Sequence, residues 1–243
     1  MNVICSTGWY IAASHPAYIK EKSADELCQM MIKELTEGID ETGIKAGLIK
    51  IGVHCGKAIP FNEDEKKVLV AAARAQAETG VAITLHPNLL DYHVHSSNVR
   101  ERFHHVYLDL LSKEGANLEK FYFSHFDFYC TGLDFQKSIL DRGAGGSYDD
   151  FGGDQYYDQS IGPCLGQSDR QRVAALVELL KLGYEKQIML SSTATYKAQL
   201  RKYGGNGHAH LLAYTISDLK FFGVTDNQIN CMLVENPMRY YAY

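Results

Sequence analysis

Two histidines that close apolar runs are the residues of this sequence best placed to do chemistry. The run from Val81 to Leu85 is followed by His86, and Lys120 to Ser124 by His125. A neutral imidazole binds divalent metals and takes up protons near neutral pH. Lys50 is the third such residue, set inside the apolar run from Ala46 to Gly52. A bare ammonium there carries a heavy desolvation cost, so Lys50 must be paired, neutral or covalently modified. One strand-end histidine alone usually does no more than make a hydrogen bond. Two at matching positions, together with an intrastrand lysine, suggest a metal site.

These residues need a scaffold of strands ending on one side. Short apolar runs recur at Val3–Cys5, Gly47–Ile51, Val81–Leu85, Phe121–Phe123 and Ile188–Leu190, with a weaker one near Ala144–Asp150. Stretches of helical period lie between them. Leu27, Met31 and Leu35 share a stripe in 24–39, entered through a Ser23/Glu26 capping box. Val68, Ala71, Ala72 and Ala75 do the same in 63–79, with Asn62 as N-cap. Val99, Phe103, Val106 and Leu110 mark 98–113, which leaves His104 and His105 at the edges of that stripe. Ser168 and Gln171 form a second capping box before Val173–Leu182, and helical patterns cover 208–222 and 225–235. Strand then helix, repeated about six times, predicts an α/β fold with a parallel sheet, whose functional residues gather at the carboxyl ends of the strands. The Gly-, Tyr- and Asp-rich stretch 143–168 reads as a long loop over one end of the sheet.

Composition narrows the function classes. The 243 residues are 46% hydrophobic and 22% charged, enough for a sizeable core, and no linker composition splits them, so one domain over 1–243 is expected. A net charge of −5 without a basic run argues against nucleic acid and a polybasic membrane anchor. No apolar run approaches a membrane span. Cys5, Cys28, Cys55, Cys130, Cys164 and Cys231 form no C-x-x-C pair and read as free thiols, which suits a cytoplasmic protein.

Longer matches are more specific. Cys5–Tyr10, Glu37–Asp40 with Thr42–Lys50, Thr79–His86, Ser124–Asp127, Lys197–Gly207 and Glu235–Pro237 resemble, in order, the phosphotriesterase family of the amidohydrolase superfamily. The resemblance implies a TIM-type (β/α)8 barrel of the metal-dependent hydrolase kind. About six of its βα units fall in this chain, which starts near the third strand. It implies hydrolysis of phosphotriester, lactone or other ester and amide bonds of a small molecule, zinc or another divalent metal as one or two ions, and a homo-oligomer. By the same resemblance Lys50 is carbamylated and bridges the metals, His86 and His125 are ligands, and Asp127 is a hydrogen-bonding or proton-relay residue behind them. Tyr156 and Tyr157 would line the substrate mouth.

Two departures qualify this expectation. The family's first strand ends in an H-x-H ligand pair, and no apolar run here ends that way. His93 with His95 and His208 with His210 have the spacing without a preceding strand. At the last strand, Thr193 stands where the family has an aspartate, both ligand and general base. A threonine hydroxyl cannot be that base near neutral pH. The expectation is therefore weakened or absent hydrolysis, with a non-catalytic binding or assembly role for the scaffold as the alternative.

Overall fold

The computed structural model describes residues 3–53, 61–87, 97–129, 133–153 and 167–242. By internal contact the chain forms two units, Met1–Phe123 with Tyr240–Tyr243, and Ser124–Arg239.

The first unit carries β1 (Ile49–Gly52), β2 (Ile83–His86) and β3 (Phe121–Phe123), paired in parallel in that order. Ile49, Ile51, Ile83, Leu85, Phe121 and Phe123 are fully buried. Strands covered on both faces need this apolar make-up, which is why they stand out in the sequence. Among the described residues four helices accompany them: α1 (Tyr18–Glu21), α2 (Ala24–Thr36), α3 (Glu63–Thr79) and α4 (Ser97–Lys113). The Ser23/Glu26 box opens α2, and Asn62 with Glu65 forms a full capping box for α3. Each satisfies two N-terminal donors that the helix itself leaves without partners.

Two expectations are corrected here. Val3–Cys5 is not a strand of its own. Instead, residues 5–9 run alongside β1, where the Thr7 and Lys50 N–H groups donate to Leu48 and Thr7 carbonyls at 2.9 and 2.8 Å. Gly8 makes this approach feasible, since any Cβ there would run into the Lys50 carbonyl oxygen and its φ is +110°. In α4 the buried face is Phe103, His104, Tyr107, Leu108 and Leu111, with Val106 and Leu110 only partly buried. The stripe is rotated by one residue, and His104 turns inward to pack its ring 4.8 Å from that of Phe123. An imidazole is aromatic enough to fill such a place, which a simple apolar count overlooks.

The second unit holds β4 (Gly145–Tyr148) and β5 (Ile188–Leu190), also parallel, with α5 (Leu133–Leu140) and α6 (Asp169–Lys181). The Ser168/Gln171 box caps α6. Residues 145–148 are thus a buried strand, at the weaker run near Ala144–Asp150 and inside the stretch otherwise read as a loop. Their Gly-Gly-Ser-Tyr sequence has little strand propensity, and packing decides instead: a Cβ on Gly146 would collide with the Phe126 ring. Farther along, α7 (Ile216–Phe221) and α9 (Asn236–Tyr241) each continue from a π-helical turn, Leu211–Thr215 and Cys231–Glu235, with α8 (Asp226–Asn230) between them. Asn236 Nδ2 donates to the Glu185 and Ile188 carbonyls at 2.7 and 2.6 Å, anchoring α9 at the start of β5. Among the described residues no helix is long and apolar enough to cross a membrane.

Candidate active site

In the first unit the register of β1 and β2 pairs Lys50 with Thr84 and Gly52 with His86. Partnered residues of parallel strands point to the same face, and the face recurs every second residue. Lys50, Thr84 and His86 therefore share one face, between the fully buried Ile49 and Ile51 on one strand and Ile83 and Leu85 on the other. Tyr122 of β3 is in register with Thr84 and joins this face. Its hydroxyl is 2.9 Å from that of Tyr241. Beyond the paired N-terminal segment, the Tyr10 ring lies 4.9 Å from His86, and burial raises its phenol above the ordinary value.

In the second unit His125 has a left-handed backbone, φ 55°, which removes it from strand geometry. Its N–H donates to both Asp149 carboxylate oxygens at 3.1 Å. On the ring, Nδ1 is 2.8 Å from Asp149 and 3.3 Å from Asp150. Burial works against the imidazolium, but the two carboxylates outweigh it and push the His125 pKa up to about 10. Asp127 is completely buried and accepts from the backbone N–H groups of Asp149 and Asp150 at 3.3 and 3.0 Å. It also accepts from Nε of the equally buried Arg172 at 2.7 Å. Burial, then the charges of Asp150 and Asp149, push the Asp127 carboxyl upward against the pull of Arg172.

The network continues outward. Arg172 Nη1 donates to Asp169 at 3.1 Å, Gly152 N–H to the same carboxylate at 3.0 Å, and His210 Nε2 at 2.6 Å. Asp127 and Arg172 thus hold the backbone that presents Asp149 and Asp150 to His125. Of the histidine pairs noted in the sequence, His210 belongs to this ion-pair chain. His93, His95, Tyr156 and Tyr157 lie outside the described residues. Thr193 follows β5 and is partly buried, one residue beyond the bridge between Asp150 and Ser192.

Sequence reasoning missed Asp149, Asp150, Asp169 and Arg172. The first two sit just past a strand that a propensity reading hides. Asp169 and Arg172 had a legible signal, an acid–base pair at i, i+3 in the first turn of a capped helix. It resembles a solvated surface pair, and only the fold shows Arg172 turned inward.

Ligand atoms of His125, Asp149 and Asp150 lie within 4.8 Å of one another, so these residues could hold a cation. The ligands implied for a zinc site also fit it chemically. A carboxylate on Nδ1 fixes the histidine tautomer that offers Nε2 to a metal, an arrangement common behind zinc-binding histidines. Lys50 and His86 stand on one face beside Thr84, whose buried hydroxyl has no hydrogen-bond partner.

Parallel strands alternating with helices, and polar residues at their carboxyl ends, are features of the barrel-type α/β class. The chain belongs to the phosphotriesterase family, whose model matches residues 1–241. It is 31% identical to a phosphotriesterase-related protein of Nematostella vectensis and 30% identical to a human N-acetyltaurine hydrolase. Each match covers 100% of this chain and 66% of the relative, so the chain spans just under two thirds of their length. The crystal structure of a phosphotriesterase homology protein from Escherichia coli, with phosphate in its active site, superposes with a TM-score of 0.81 at 31% identity. That match covers 99% of this chain and 75% of the other. The barrel-type fold and the hydrolase family expected from the sequence are thereby established.

Proposed function

We propose that this chain is a zinc-binding member of the hydrolase family that acts weakly, or not at all, on an ester, lactone, phosphotriester or amide bond of a small molecule. One observation supports the metal reading: His125, a ligand by the family resemblance, has its Nδ1 held by buried Asp149 and Asp150. Carbamylated Lys50, His86 and His125 would hold the ion, with Asp127 fixing the aspartates behind His125. Bound there, a divalent ion supplies Lewis-acid polarisation of the scissile oxygen and lowers the pKa of its water. The protein's own share is orientation and proton transfer, and Thr193 leaves the latter without a carboxylate. Thr193 likewise favours the second reading, a binding or assembly protein on a hydrolase scaffold.

Metal analysis of the purified, zinc-equilibrated chain tests the proposal, alongside a panel of phosphotriester, lactone and N-acyl substrates. The expected result is one or two zinc ions per chain, lost in His125→Ala, with turnover far below one per second. No retained zinc selects the binding role. Fast hydrolysis abolished by His125→Ala overturns the claim of weak activity.

A further inference from the structure

We infer that Thr84 is a positioning residue for Lys50: its hydroxyl donates a hydrogen bond to the carbamate that forms on that lysine. The inference rests on the metal-hydrolase reading above and adds a residue to it. Thr84 is 2% exposed, and its Oγ1 is buried without a hydrogen-bond partner. An orphaned buried hydroxyl forfeits the hydrogen bonds it made with water, and native structures contain few of them. Valine would fill the same volume without that cost, so the hydroxyl is matched to something the protein acquires.

The register indicates what that is. Thr84 is the cross-strand partner of Lys50, and two residues before His86 on the same face. Its other neighbour in the row, Tyr122, has its hydroxyl committed to Tyr241. A lysine amine offers the threonine only donors once protonated, whereas a carbamate presents acceptor oxygens. In the modification, neutral Nζ of Lys50 attacks the carbon of dissolved carbon dioxide. The C–N bond forms, one C=O electron pair moves to oxygen, and the proton on nitrogen leaves to water. The new anion is an oxygen acceptor beside a hydroxyl that lacks one, and the bond lowers the tendency of the carbamate to revert.

The test uses the full chain equilibrated with ¹³C-bicarbonate and zinc, read by ¹³C NMR and by zinc titration. Wild type should show a carbamate carbonyl resonance that is missing in Lys50→Gln. Thr84→Val, isosteric and retaining the far-UV circular dichroism, should lower the carbamylated fraction and weaken zinc binding by about 10-fold or more, the usual effect of losing an outer-shell partner. Thr84→Ser should restore both. A Thr84→Val variant whose resonance and zinc affinity stay within twofold of wild type overturns the role of Thr84 and leaves the metal reading intact. A wild type with no carbamate resonance overturns this inference together with the carbamylated-lysine site.

Discussion

At the scale of single residues, the chemistry turns on which groups carry charge. His125 faces two buried carboxylates and, without a metal, titrates at about 10 in place of the usual 6.5. A pKa raised on folding contributes stability that is fully present below the unfolded value and is lost as pH rises through the folded one. The metal-free chain should therefore lose stability steadily between about pH 6.5 and 10, as followed by urea midpoints. His125→Gln should flatten that part of the profile; equal slopes in the two proteins would show that His125 is not the group responsible. Thr193 poses the complementary question, since a hydroxyl stands where the family's general base is expected. Positioned acid–base groups contribute about 10²–10⁴-fold to a rate. Thr193→Asp in the zinc-loaded chain is predicted to raise kcat by at least about tenfold, with a new acidic limb in the pH–rate profile. An unchanged rate would place the defect outside proton transfer.

Elements explain why some of this was visible in the sequence and some was not. Strands β1, β2, β3 and β5 were legible because burial on both faces demands continuous apolar runs. The helices announced themselves through capping boxes at Ser23 and Ser168 and the N-cap Asn62. The metal-ligand candidates Lys50, His86 and His125 were legible for a related reason: polar residues inside or ending such runs are out of place. β4 was legible only as the weak run near Ala144–Asp150, because Gly146 is there to admit the Phe126 ring and carries no strand signal. With β4 obscured, the aspartates that follow it were obscured too, and so was the inward turn of Arg172 on α6. That buried pair is also where an element-scale prediction is sharpest. Removing one partner of a buried ion pair leaves an uncompensated charge and costs about 3–5 kcal/mol. Arg172→Met should lose that much in chemical denaturation, and the double variant with Asp127→Asn should recover part of it. If the double variant is as unstable as the sum of the singles, the two side chains do not act as a pair.

For the whole molecule, the proposed ligands make metal binding and folding a single equilibrium. A ligand that binds only the folded chain stabilises it by RT ln(1 + [L]/Kd), about 2.7 kcal/mol at a hundredfold excess over Kd. Zinc must also displace a proton from His125, since the imidazole is held as a cation by Asp149 and Asp150. The apparent zinc affinity should accordingly climb with pH across the range in which the metal-free histidine remains protonated, opposite to the falling stability of the metal-free chain. Thermal melts at pH 6.5, 7.5 and 8.5, with and without excess zinc, separate these two trends. The expected outcome is a zinc-induced rise in Tm that grows with pH, reversed by a chelator. His86→Ala and His125→Ala should each remove it. A shift that survives His86→Ala but not His125→Ala would confine the ion to His125, Asp149 and Asp150.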